Sequence, residues 1–87
     1  MNSKIDQFKK KIIYRSTYRG TKEMDKLLGS FVKKYIDSLN EKELVLLENL
    51  LNVDDNNLYN FYNGLQTDFK FEKNDINSLF KNYKYNE

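Results

Sequence analysis

The sequence predicts a small all-α domain, a bundle of five short helices. Three observations point to this fold class: apolar residues recur at helical spacing along most of the chain, proline is absent, and only three residues are glycine. A sandwich or barrel of many short strands would need more turn-forming residues. A chain of 87 residues can bury one modest core, so we expect a single domain spanning residues 1–87.

The first two predicted helices rest on apolar periodicity. Ile5, Phe8 and Ile12 share one face and predict a helix over residues 4–18 with lysines on its outer side. The second helix, predicted over residues 21–38, has the most regular pattern in the chain, with apolar residues at i, i+3, i+4, i+7 and i+8 onward from Met24. Gly29 lies inside it at a cost of about 1 kcal/mol relative to alanine, which predicts that a neighbouring backbone packs closely there.

The third helix should begin at a capping box. Asn40 is the expected N-cap, and Glu43 stands where its carboxylate can return the bond to the cap backbone. The helix that follows is predicted to end near Asn52. Its apolar face is broad, because Val45 and neighbouring leucines widen it, and we therefore expect this helix to be the most buried of the five.

Two short helices complete the predicted bundle. Asp54 or Asp55 is expected to cap the fourth helix, and Gly64 suits a left-handed C-terminal cap. The polar residues 66–73 should form a loop held by one or both of their phenylalanines, since a lone strand would have no partner. A fifth helix is predicted from about residue 75, with the chain fraying from residue 82 onward. We expect the five helices to pack antiparallel.

Composition excludes several classes of function. The chain has neither cysteine nor histidine, which excludes disulfides, thiolate nucleophiles and the commonest metal ligands. Its glycines are isolated, so no phosphate-binding glycine-rich loop is present. The acid pairs Asp54–Asp55 and Glu23–Asp25 do not match a calcium loop, and helix capping explains the first pair. We therefore expect no catalytic and no metal-binding residues.

The sequence also bears on location. No apolar run approaches the roughly 18 residues that a membrane span needs, and no apolar stretch of secretory-signal type follows the lysines of the first dozen residues. Those residues contain an acid and no arginine, which is a poor match to a mitochondrial transit peptide. We expect a protein of the bacterial cytoplasm, without membrane insertion, in preference to one of the mitochondrial matrix.

Charge is distributed unevenly along the chain. Residues 1–35 carry a net charge of +7 and residues 36–87 a net charge of −5. A basic end can bind an anionic partner, including nucleic acid, or the two halves can simply attract each other and solvate the surface. A lysine-rich first helix ending near Arg15 and Arg19 is consistent with phosphate contacts, but no recognition helix follows it. Nucleic-acid binding stays an alternative.

The joint between the first two helices allows two interpretations. Arg19, Gly20 and Glu23 follow one another there with the spacing R-G-x-x-E. In the first interpretation Gly20 is the N-cap, Glu23 returns a bond to it, and Arg19 pairs with Glu23 or Asp25. In the second, the joint is a rigid polar knob that presents a guanidinium and carboxylates to a partner protein. Local physics leaves both open.

These residues resemble the R-G-x-x-E signature of the SdhE family, the FAD assembly factors of succinate dehydrogenase. Asp25 stands where the family has an acid after its signature. The segment YIDSL at residues 35–39 is similar to the family's Y-D-S-L helix end, and LLNVDD at residues 50–55 followed by Leu58 is similar to its L-L-x-x-x-D-x-x-L stretch. All of these matches fall in one ungapped register over about residues 15–62. Three positions depart from the family pattern: Tyr18 replaces a basic residue, Phe61 a tryptophan and Asn56 a proline.

The resemblance implies a function that composition alone does not give. It implies a non-catalytic assembly factor, monomeric when free, that binds the flavoprotein subunit of succinate dehydrogenase and promotes covalent attachment of FAD to a histidine of that subunit. Fumarate reductase would be a further client. FAD would belong to the partner, and this chain would hold no cofactor stably. The alternative function is a nucleic-acid-binding or generic protein-adaptor domain. The residues expected at the partner interface are Arg19, Gly20 and Glu23, with Arg15, Asp25, Asp54 and Asp55 as weaker candidates.

Overall fold

Residues 3–85 are described by the computed structural model, and they form five α-helices. These are α1 (Ser3–Thr17), α2 (Lys22–Tyr35), α3 (Glu41–Leu51), α4 (Asp55–Tyr62) and α5 (Asp75–Asn82). A short 3₁₀ turn, Ile36–Ser38, extends α2. The all-α, five-helix prediction is confirmed, and residues 3–85 contain no strand. The sequence-based boundaries lie within a few residues of the observed ones, although the last turn expected for the second helix is 3₁₀ rather than α.

One apolar core joins all five helices. Helix α1 packs against α2 and α3, while α5 packs against α3 and α4. The core side chains share almost complete burial and come from every helix; the largest are Phe31, Phe80, Ile12, Leu28, Leu44, Leu47, Leu51, Leu58 and Ile76. This arrangement places the α1–α2 joint beside the loop between α3 and α4.

At Gly29 the end of α1 lies close to α2. A methyl group added at Gly29 would lie 3.9 Å from the Ser16 carbonyl oxygen and 3.9 Å from the Thr17 hydroxyl. The backbone of α1 is therefore adjacent, as the sequence predicted, but the gap still admits a methyl group. The Ser16 and Thr17 hydroxyls both donate to the Ile13 carbonyl, at 2.7 and 2.8 Å, as serine and threonine side chains in a helix commonly do to a carbonyl one turn earlier.

Two of the predicted helix ends are confirmed. Asn40 and Glu43 form the capping box of α3. Gly64 has a φ of +72° and ends α4 in a Schellman motif, in which the Leu65 N–H donates to the Asn60 carbonyl at 2.7 Å and the Gly64 N–H to the Phe61 carbonyl at 3.2 Å. Only glycine reaches this backbone conformation without strain.

Two expectations about burial are wrong. The most buried helix is α2, in which six residues are buried, whereas α3 buries four. Val45 is exposed, because it lies about a quarter-turn away from the leucine stripe of α3. Tyr83 and Tyr85, in the segment expected to fray, also pack against the core: the Tyr83 ring lies edge-on to that of Phe31 at 5.3 Å, and its hydroxyl hydrogen-bonds Ser30 Oγ at 2.9 Å.

The connector between α4 and α5 is a loop held by aromatic stacking, as predicted. The ring of Phe71 lies 4.0 Å from that of Phe61 with an angle of 13° between the planes. Phe69 meets Phe71 edge-on at 5.0 Å and stays largely exposed. The Asn57 side chain also holds the loop, because its Oδ1 accepts from the Asp68 N–H at 2.9 Å.

Candidate functional site

The cap of α2 differs from the one predicted. Thr21, not Gly20, is the N-cap: its backbone is extended and its side chain accepts from the Met24 N–H at 3.2 Å. Glu23 is therefore only the second residue of the helix, too early to return a capping-box bond. Thr21 is the N-cap in place of Gly20 because its hydroxyl supplies a hydrogen-bond acceptor that glycine lacks. The carboxylate of Glu23 is left exposed to solvent.

The Arg19 guanidinium connects three segments of the chain. Its Nε donates to Asp55 Oδ1 at 2.8 Å, Nη1 to the Leu51 carbonyl at 2.8 Å, and Nη2 to the Val53 carbonyl at 2.9 Å. Leu51 is the last residue of α3, so its carbonyl belongs to the helix end and has no partner within the helix. Arg19 thus ties the α1–α2 joint to the end of α3 and to the start of α4.

The sequence-based prediction of which acid pairs with the Arg19 side chain is therefore wrong. The guanidinium pairs with Asp55 and not with Glu23 or Asp25, because packing of α1 on α3 brings the α3–α4 loop closer than the first turn of α2. Asp25 instead accepts a hydrogen bond from the Arg19 backbone N–H. Only 11% of the Arg19 side chain is exposed, so little of the guanidinium is left for a partner. Direct contact of Arg19 with a partner stays a prediction.

Asp55 holds the joint with both of its oxygens. While Oδ1 accepts from Arg19, Oδ2 accepts from the Gly20 backbone N–H at 2.9 Å. A Cβ at Gly20 would stand only 3.1 Å from Oδ2. Gly20 does not have a positive φ, so what glycine provides here is room for the close approach of the carboxylate and not backbone freedom. We call Arg19, Gly20 and Asp55 the joint clamp.

The neighbouring Asp54 has a separate task. It is the N-cap of α4: its Oδ2 accepts from the Asn57 backbone N–H at 3.2 Å, and its Oδ1 accepts from the Asn57 side-chain amide at 2.7 Å. These two bonds favour the carboxylate and lower the pKa of Asp54 from its ordinary 3.8. The sequence left open which acid caps α4, and the structure assigns the cap to Asp54 and the clamp to Asp55.

Arg15 lies one helical turn before Arg19 and reaches the same loop. Its guanidinium donates to the side-chain oxygen of Asn52, the residue that follows the last turn of α3. Five of the seven predicted site residues are thus brought together: Arg15, Arg19, Gly20, Asp25 and Asp55. Sequence reasoning missed Asn52 and Thr21. Both stand at helix ends, where polar side chains commonly bond backbone or neighbouring groups, and that is the signal that identifies them.

Beside the joint clamp is a shallow groove that leads to Glu23. It is lined by Thr21, Glu23, Met24, Asp55, Asn56 and Tyr59. Tyr59, which the sequence did not single out, is 40% exposed and forms the aromatic wall of the groove. Glu23 and Tyr59 also line a second depression on their other side. Glu23 is therefore an accessible carboxylate next to an aromatic ring, on a backbone fixed by the clamp.

The described part of the chain lacks two kinds of feature. Among residues 3–85 no group of three or more acids is placed to hold a metal ion. No helix in the same range is both long and apolar enough to cross a membrane. The groove beside the joint clamp offers polar groups and one aromatic ring, that of Tyr59.

Comparison with known proteins identifies the family. A family model described as the flavinator of succinate dehydrogenase matches residues 10–84. The chain belongs to this flavinator family. All seven predicted site residues lie within the matched region, and the family resemblance inferred from the sequence is confirmed.

Individual relatives of this flavinator-family chain agree with the family match. It is 40% identical over 58 residues to the mitochondrial succinate dehydrogenase assembly factor 2 of Saccharomyces cerevisiae, covering 67% of this chain and 36% of the relative. It is 40% identical over 50 residues to the FAD assembly factor SdhE of Wigglesworthia glossinidia brevipalpis, covering 58% of this chain and 60% of the relative. The chain thus spans about a third to three-fifths of these relatives. No solved structure matches it.

Proposed function

We propose that this chain is an assembly factor that binds the flavoprotein subunit of succinate dehydrogenase and promotes covalent attachment of FAD to that subunit. Two findings support the proposal. The chain belongs to the flavinator family, and the names of its relatives describe assembly of succinate dehydrogenase or of FAD. FAD is the substrate of the partner in this proposal, and the chain itself holds no cofactor stably.

The structural observation that supports the proposal most strongly is the arrangement of hydrogen bonds at the α1–α2 joint. Arg19, Gly20 and Asp55 clamp the backbone of the joint, and the exposed Glu23 follows within the first turn of α2. A carboxylate on a fixed backbone loses little conformational entropy when a partner binds it. We infer that Glu23 and the groove beside it contact the flavoprotein, while the clamp residues keep the contact surface in shape.

In the proposed mechanism this chain shifts a conformational equilibrium. It binds more tightly to the flavoprotein conformation in which the acceptor histidine and FAD are correctly placed, and so raises the population of that conformation. The chain has no histidine, so the histidine that the family resemblance implies as the FAD acceptor belongs to the partner. The chain takes no part as a catalyst in bond formation.

The setting of this activity is also a proposal. The similarity to a bacterial FAD assembly factor supports action in a bacterial cytoplasm, although the yeast relative is mitochondrial by name. We propose that the free chain is a monomer and that fumarate reductase is a second client.

Coexpression with the client tests the proposed function. The flavoprotein subunit of succinate dehydrogenase is produced with and without this chain, in a host whose own flavinylation factor has been deleted. Acid-stable flavin fluorescence of the flavoprotein band on a denaturing gel then reports covalent FAD. The proposal predicts strong fluorescence only with the chain present. Equal fluorescence in both cultures contradicts it, and stable binding without a change in fluorescence identifies a generic adaptor instead.

A further inference from the structure

The outer face of α1 carries an aromatic pair that the fold does not use. Tyr14 is 56% exposed and Tyr18 is 72% exposed, and their rings lie 4.6 Å apart at 57°. Tyr18 continues the helix past its last residue, since its N–H donates to the Tyr14 carbonyl at 3.1 Å. Among residues 3–85, neither tyrosine hydroxyl has a hydrogen-bond partner. A core role does not explain the pair.

This face is also cationic. Residues 7, 10, 11, 14 and 18 lie within about 100° of one another around the axis of α1, opposite the buried Ile12. None of these five residues is an acid, and Asp6 lies one turn before Lys10, just outside their arc. Lys11 is paired with Glu48 at 3.4 Å, whereas Lys10 is exposed and forms no ion pair among the described residues. We call Lys10, Lys11, Tyr14 and Tyr18 the tyrosine face.

The tyrosine face leads directly into the joint clamp. Tyr18 and Arg19 are consecutive, and Tyr14 precedes Arg15, whose guanidinium contacts the same α3–α4 loop as Arg19. The clamp therefore holds the backbone at Arg19 and Gly20, directly after the end of the tyrosine face. Tyrosines that are already held in place supply large contact area at low entropic cost, and they are enriched among the residues that dominate binding energy.

We propose that the tyrosine face is a second contact surface for the client flavoprotein, taking an acidic patch of that protein with an apolar centre. The unpaired charge of Lys10 favours a partner surface that carries carboxylates. The Tyr14–Tyr18 pair favours an apolar or aromatic group at the centre of that partner surface. The proposal rests on the proposed function, and it adds that docking extends from Glu23 across the joint and along α1.

A membrane surface fits this face less well. The apolar side of α1 is buried in the core, so the helix has no free apolar face to insert between lipids. Single-stranded RNA remains a rival occupant, because bases also stack on exposed tyrosines beside lysines. The membership of the chain in the flavinator family favours the protein partner, and RNA binding becomes an outcome of the test.

The test measures affinity for the client with matched variants. The purified flavin-free flavoprotein subunit of succinate dehydrogenase is titrated with the chain by isothermal calorimetry. The double variant Tyr14→Gln/Tyr18→Gln keeps helix-forming side chains, and Leu65→Gln is its control, because Leu65 is 57% exposed on a different segment. We expect the tyrosine variant to raise Kd roughly tenfold or more and the control to change it less than about twofold. Circular dichroism confirms that each variant is folded.

Charge is tested in the same way. Lys10→Glu should raise Kd several-fold, and more strongly at 50 mM than at 200 mM salt, because rim charges act through screened electrostatics. Lys73→Glu makes the same change of net charge at an exposed lysine far along the chain and should leave Kd almost unchanged. Equal effects of the two reversals would indicate only a general attraction and would overturn the assignment to this face.

The outcomes separate this inference from the proposed function. If the wild-type chain binds and promotes flavinylation, and the tyrosine variant does so equally well, the inference is overturned and the proposed function stands. If the wild-type chain neither binds the flavoprotein nor raises its covalent flavin, the proposed function fails and this inference fails with it. Binding of a single-stranded RNA oligonucleotide that is lost in the tyrosine variant, with client affinity unchanged, would also overturn the inference.

Discussion

Removal of the Asp55 carboxylate should loosen the joint measurably. The Asp55→Ala variant loses the acceptor of Arg19 Nε at 2.8 Å and the acceptor of the Gly20 N–H at 2.9 Å. The ion pair is largely shielded from water, since the two side chains are 11% and 25% exposed. A hydrogen bond to a charged group contributes about 1.5–3 kcal/mol. Partial exposure of Asp55 and the three remaining carbonyl partners of Arg19 reduce the loss, so we expect a destabilisation of about 2 kcal/mol.

A double-mutant cycle tests whether this effect comes from the pair. Arg19→Ala also gives up the bonds to the Leu51 and Val53 carbonyls and should cost about 3 kcal/mol. The double variant should be more stable than the sum of the two changes predicts, by a coupling of about 1–2 kcal/mol. Urea unfolding followed by circular dichroism gives each free energy of unfolding. For Asp55→Ala the melting temperature should fall by roughly 8–16 °C.

A surface ion pair is the control. Lys9 and Asp37 approach to 3.5 Å, but the Asp37 side chain is 91% exposed, so Asp37→Ala should change the free energy of unfolding by less than about 0.5 kcal/mol. If Asp55→Ala has an effect as small as Asp37→Ala, or if the double variant is strictly additive, then Arg19 and Asp55 do not clamp the joint and the proposed rigidity of the site is wrong.

Three further predictions follow from the glycines and the α4 cap. Gly29→Ala should raise the free energy of unfolding by up to about 1 kcal/mol in a urea titration, because alanine favours the helix and the gap admits its methyl group; a clear loss of stability would show that the helices cannot admit it. Gly20→Ala should destabilise the wild-type chain, because the added methyl group presses on Asp55 Oδ2. In the Asp55→Ala variant that contact is gone, and the same substitution should stabilise the fold by up to about 1 kcal/mol, because it lowers the entropy of the unfolded chain. An effect of the same sign in both backgrounds contradicts this reasoning. The pKa of Asp54 is lower in the folded chain than its ordinary 3.8, so its charge stabilises the fold above that value, and the contribution is lost as pH falls through the lowered pKa. Unfolding from pH 6 to pH 2 should therefore show a smaller pH dependence for Asp54→Asn, and an identical dependence would exclude Asp54 as a contributor.

The helices were predictable because their signals are local. The period of α2, the capping box of Asn40 and Glu43, and the glycine that ends α4 each depend on residues within one or two turns of one another. The errors have a different origin. Val45 is apolar but exposed, because burial depends on where neighbouring helices lie. The packing of Tyr83 against α2 joins residues 53 positions apart, and no short-range pattern signals it.

The candidate site was predictable in its membership but not in its pairing. Sequence reasoning placed Arg19, Gly20 and Asp55 among the site residues, yet it paired Arg19 with nearby acids. The observed partner lies 36 positions away and becomes close only when α1 packs against α3. Gly20 was likewise interpreted as a helix cap, and only the position of the Asp55 carboxylate shows that a side chain at Gly20 would crowd it.

The most direct test of the proposed docking surface compares Glu23 with a matched acid in the coexpression assay. Glu23→Gln and Glu41→Gln each remove one exposed carboxylate from the first turn of a helix, so both should unfold within about 0.5 kcal/mol of the wild-type chain. The account predicts that Glu23→Gln strongly reduces the acid-stable flavin fluorescence of the flavoprotein, while Glu41→Gln supports the wild-type level. Normal covalent flavin with Glu23→Gln would contradict it, because the carboxylate that the joint clamp positions would then have no role at the partner surface.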